Sequence, residues 1–114
     1  MKIGKVSESV LKRTIIKEIK HKRKDIKKGA AVGCDGTIIE GSDKDIVSSI
    51  ATYSGDFFMS AKRAFASAVN SLSAKGGSAI AVMVSLMIPE EIMESDIRAV
   101  MVELNNLCEK FDLQ

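Results

Sequence analysis

The sequence predicts an α+β fold: a mixed α/β layer with helices packed on one face of a mixed sheet. Three observations carry this expectation. Phe58, Ala61, Phe65, Ala68, Val69 and Leu72 recur at intervals of three and four, the spacing of one helical face. Residues 79–88 form one apolar run, rich in Val and Ile and closed by Pro89, as in a strand covered on both faces. Ile97, Val100, Met101, Leu104, Leu107, Cys108 and Phe111 then mark a second helical face. Helices of this kind need a sheet to cover.

The elements follow in order. Val6, Val10, Leu11, Ile15, Ile16 and Ile19 gather on one face, so a helix is predicted over 7–22, with Ser7 as N-cap. The segment from His21 to Lys28 has too little apolar surface to bury and reads as a solvated helix end or loop. Ala30-Ala31-Val32-Gly33 and Thr37-Ile38-Ile39 flank Cys34-Asp35-Gly36, the pattern of a tight turn or hairpin. Residues 46–53 are rich in β-branched side chains and read as a strand, broken by Ser54-Gly55. Asp56 can cap a helix over 57–75, which Gly76-Gly77 stops. Ser95 is the expected N-cap of the last helix. One layer of helices leaves the opposite sheet face bare, and a dimer in which two sheets meet would cover it.

Composition narrows the class. A chain of 114 residues fits a single domain, 1–114. With 46% apolar residues, 4% aromatics and no Trp, the core must be built from aliphatic side chains and Met. Met83, Met87, Met93 and Met101 read as core or interface filler. Cys34 and Cys108 belong to no Cys/His cluster, and His21 is the only histidine, so a structural zinc site is not expected. No apolar run is long enough to span a bilayer, and no secretory h-region opens the chain, so a cytoplasmic protein without membrane contact is expected. The net charge of +2 conceals an asymmetry: residues 1–28 hold eleven Lys/Arg against three Asp/Glu. The basic stretch 17–28 reads first as a solvated face. No aromatic residue interleaves it, which counts against single-strand stacking, and nucleic acid is not the expected partner.

Several segments, taken together, resemble the N-terminal domain of the AIR synthase-like superfamily. Lys5-Val6-Ser7-Glu8-Ser9-Val10-Leu11-Lys12-Arg13 is similar to the opening of AIR synthase-related proteins. Val32-Gly33-Cys34-Asp35-Gly36 stands where the family has a Gly-acid-Asp-small turn. Ala68-Val69-Asn70-Ser71-Leu72-Ser73-Ala74-Lys75-Gly76-Gly77 resembles the helix end that reads Val-x-x-Asn-Asp-Leu-Ala-Ala-x-Gly. The likeness covers nearly the whole chain. It implies sheet pairing into a dimer-spanning barrel and an ATP site shared with a neighbouring domain. It also implies Mg²⁺ held by carboxylates, as hard oxygen ligands suit that ion. By the same resemblance, the basic arm would lie near the nucleotide.

The sequence departs from the pattern at the acids. Cys34 stands where an acid is usual, Tyr53 where many members have Asp, and Ser71 replaces the Asp of the Asn-Asp pair. The matched nucleotide-site residues are Asp35, Asn70 and Ser71, with Asp35 the one metal ligand. Weak or lost binding of ATP and Mg²⁺ is therefore expected. No catalytic residue is assigned, and the chain is not expected to be an enzyme by itself. The family's Gly-Gly-His-Thr-Glu segment and C-terminal domain have no counterpart in these residues. Two other readings stand beside this one. The chain could belong to a longer ATP/Mg²⁺-dependent enzyme that phosphorylates a carbonyl or amide oxygen, of biosynthetic or hydrogenase-maturation type. It could instead be a basic-armed nucleic-acid or anion binder.

Overall fold

The computed structural model describes residues 4–33, 36–41 and 43–114. Its described elements are a helical N-terminal segment, a two-stranded antiparallel sheet and two long helices, an α+β architecture. Ser7 caps α1 (Glu8–Val10), its hydroxyl accepting from the Val10 N–H. The helix then widens into a π turn over Leu11–Ile15 and tightens into a 3₁₀ turn over Ile16–Glu18. The predicted helix over 7–22 thus ends earlier, at Glu18. Thr14 sits in the irregular stretch, fully buried, and its hydroxyl donates to the Val10 carbonyl at 2.5 Å. Such back-bonding to the i−4 carbonyl bends helices.

The hairpin also differs from expectation. β1 (Ile26–Lys28) pairs with β2 (Ile38–Ile39), so the first arm lies in the Lys-rich segment and not at 30–33. Ile26 is buried while Lys27 and Lys28 face solvent. One buried isoleucine among cations gives little periodic signal, which is why the arm reads as a loop. The turn residues Cys34 and Asp35 lie outside the described residues.

α2 (Phe57–Ala74) begins at Asp56, whose carboxylate accepts from the Met59 N–H at 2.9 Å. It ends in a Schellman arrangement: Gly77 N–H donates to Leu72 O and Gly76 N–H to Ser73 O. Gly76 takes φ +79°, and a Cβ on Gly77 would meet the Leu72 carbonyl at 3.2 Å. Gly76 is therefore required by its backbone conformation, and a larger residue at Gly77 would crowd Leu72. α3 (Glu94–Phe111) starts one residue before the expected cap. The Asp96 carboxylate accepts from the Met93 N–H at 2.9 Å, and Ser95 lies inside the first turn.

The core lies between α2 and α3. It is built from Phe65, Val100, Met101, Leu104, Cys108 and Leu113, with Ile15, Ile19, Val82 and Leu86 packed against it. Phe57, and not Phe58, is the inward residue of the first turn of α2; Phe58 meets it edge-on and is exposed.

Residues 46–53 and 79–88, read as strands, form neither helix nor ladder among the described residues. A single bridge marks the second: Gln114 N–H donates to Ile80 O, and Val82 N–H to Gln114 O. This is the parallel hydrogen-bond pattern. The Ser49 hydroxyl donates to Ala68 O at 2.6 Å and holds the first segment against α2. The predicted cover on both faces of 79–88 is thus not met within one chain.

Candidate functional site

Of the three residues of the expected nucleotide site, the described structure places Asn70 and Ser71. Asp35 lies outside the described residues. Asn70 and Ser71 are exposed on α2, one turn before its C-terminal end. Neighbouring helical positions point about 100° apart, and both side chains offer only neutral oxygens. The helix C-terminus carries partial negative charge, which disfavours a phosphate there. These two residues do not by themselves fit a Mg²⁺ site. Among the described residues no group of three His, Cys, Asp or Glu side chains could hold a metal ion.

A different polar constellation lies along α3. The N-terminal segment runs beside this helix, and a series of polar contacts latches it. The Arg13 guanidinium donates two hydrogen bonds to the Glu94 carboxylate, one at 2.8 Å. Arg98 reaches the Arg13 carbonyl and stands 3.9 Å from the buried Glu18 carboxylate. Asn105 Oδ1 accepts from the backbone N–H groups of Lys20 and His21, both at 3.0 Å. Arg23 bonds Asp25 through Nε and Nη2, and the Asp112 carbonyl and carboxylate through Nη1. Gln114 Oε1 accepts from the Arg23 N–H, and His21 Nε2 lies 2.9 Å from Asp112 Oδ1. The hydrogen bond from Arg13 holds the Glu94 carboxyl below its ordinary value, and that from Arg23 does the same for Asp25. Lys22, Arg23, Lys24, Asp25, Glu40 and Asp112 border an open depression of about 480 Å³ at the end of this latch. The partners that join the N-terminal segment to α3 and the C-terminus lie more than eighty residues apart in sequence, so no local pattern announces them.

The second surface feature is apolar. Ile46 and Ile50 are 90% and 92% exposed, and Met83 and Met87 are 88% and 91% exposed. Along 82–88, Val82, Leu86 and Ile88 are half-buried while Met83, Val84, Ser85 and Met87 are exposed, so the segment rests on the core through Val82 and Leu86 and is otherwise bare. Met101 alone of the four singled-out methionines joins the core.

Cys108 is buried in α3, and burial pushes its thiol up to about 11. Its chemistry is that of a packed apolar group. Among the described residues no helix is long and apolar enough to cross a membrane. No protein-family model, no curated protein and no solved structure matches the chain.

Proposed function

We propose that the chain is an AIR synthase-like N-terminal domain that acts as a dimerisation module. In this reading its nucleotide site, at Asp35, Asn70 and Ser71, is degenerate and it does not catalyse alone. One observation supports the dimer: the uncovered apolar side chains of Ile46, Ile50, Met83 and Met87, each about nine-tenths exposed. A two-fold interface sets the same patch of each copy against the other. Exposed Ile and Met side chains can do this without opposing like charges. Pairing of the segments 46–53 and 79–88 between two copies would cover the apolar side chains and give those segments strand partners.

The degenerate site rests on the sequence pattern and on the neutral oxygens of Asn70 and Ser71. Thermal unfolding with added Mg-ATP tests it. Ligand at a hundred times its Kd stabilises a folded protein by roughly 2.7 kcal/mol. No Mg²⁺-dependent shift at millimolar ATP is expected; a clear shift, abolished by Asp35→Ala, contradicts the degenerate site. Sedimentation velocity tests the dimer. Ile50→Lys with Met87→Lys should convert it to monomer while leaving helical content unchanged.

A further inference from the structure

We propose that the Lys-rich segment from Lys17 to Lys28 docks on the phosphate backbone of nucleic acid, without reading sequence. The segment holds seven cations and two carboxylates. A solvated charge run ordinarily mixes both signs and cancels them locally. Here both carboxylates are already engaged by cations. Asp25 is held by Arg23, and Glu18 is buried between Arg98 and Lys20. Arg23 also engages Asp112. Lys17, Lys22, Lys24, Lys27 and Lys28 are exposed, and none meets a carboxylate within salt-bridge distance among the described residues. Glu40, at the edge of the depression, is the nearby acid left without a cation.

The latch to α3 matters for the same reason. Asn105 and Gln114 fix the backbone at Lys20, His21 and Arg23, and pairing with β2 fixes it at Ile26–Lys28. The lysines thus project from a held frame.

A small free anion fits this surface poorly. The open depression is lined by Asp25, Glu40 and Asp112 as well as by cations, and it encloses nothing. The lysines are spread over twelve residues, farther than one phosphate can reach. A polymer with one charge every 3.4 Å or so per strand can meet several at once. The lack of aromatic residues disfavours base stacking but leaves backbone contact untouched. This inference is independent of the dimer and of the ATP site.

The test uses the full chain and fluorescence anisotropy with a labelled DNA duplex, a single-stranded RNA and, as a polyanion control, polyglutamate. With four phosphate contacts, affinity should fall by about 150-fold between roughly 50 and 200 mM salt, a log–log slope near −3.6. Lys22→Gln, Lys24→Gln, Lys27→Gln and Lys28→Gln together should flatten that slope toward zero. A charge-matched control carries Lys62→Gln, Arg63→Gln, Lys75→Gln and Lys110→Gln and should keep the slope. Circular dichroism checks that both variants fold, and the double variant Lys24→Gln/Lys28→Gln, with a slope reduced by about two, substitutes if the quadruple does not. No binding at low salt overturns the proposal. So does equal loss in the control variant, or polyglutamate binding as tightly as nucleic acid.

Discussion

Single residues hold this chain at three kinds of place: caps, buried side chains and the polar latch. Asp56 accepts the Met59 N–H at the start of α2. Asp56→Ala should lower stability by about 1 kcal/mol, the worth of an N-cap, read from urea unfolding. Phe65 is buried at the junction of α2 and α3 and lies 6.1 Å from Phe111. Phe65→Ala should cost about 3–5 kcal/mol in the same assay, enough to unfold a domain of ordinary stability. The latch predicts an acid limb. Glu94 and Asp25 have depressed folded values, so their contribution is present above the ordinary carboxylate range and lost as pH falls through the folded values. The melting temperature should hold near neutral pH and drop below about pH 4, and Glu94→Gln should shrink that drop. Cys108 acts at the other end. Its folded thiol stays protonated to about 11 while the unfolded one ionises near 9.0, so stability falls as pH rises through that window.

At the scale of elements, the two long helices are legible because their apolar residues keep a helical period. α2 and α3 fall within a few residues of their predicted spans, and the Gly76-Gly77 stop sits where the sequence puts it. Gly76→Ala should cost about 1 kcal/mol in urea unfolding, because φ +79° is strained for any residue with a Cβ. The N-terminal helix is shorter than its periodicity implies. Past Glu18 the backbone turns to Asn105 for its hydrogen bonds, a partner no local pattern reveals. β1 is hidden for a related reason: its single inward residue, Ile26, stands among lysines. The apolar runs 46–53 and 79–88 do carry strand composition. Composition states that a segment suits a sheet but not which strand lies beside it, and within one chain these find almost no ladder. Of the candidate nucleotide site, residue types alone were readable. Asn70 and Ser71 lie on a solvent-exposed helix surface and offer only neutral oxygens.

At the scale of the whole molecule, the chain is extended and leaves apolar side chains uncovered. Its radius of gyration is 14.5 Å, above the roughly 13 Å usual for a chain of this length, and its longest axis spans 45 Å. The helices share a close-packed core, while the segments beside them present Ile46, Ile50, Met83 and Met87 to solvent. Burying such side chains stabilises by about 25 cal/mol per Å² of apolar surface, so a second copy set against them has a definite driving force. The most direct test is sedimentation velocity of the full chain at micromolar concentration, beside the Ile50→Lys/Met87→Lys variant. A dimer that the double variant splits into folded monomers is the predicted result. A wild-type chain that sediments as a monomer at that concentration, with these apolar side chains stably in water, would contradict it.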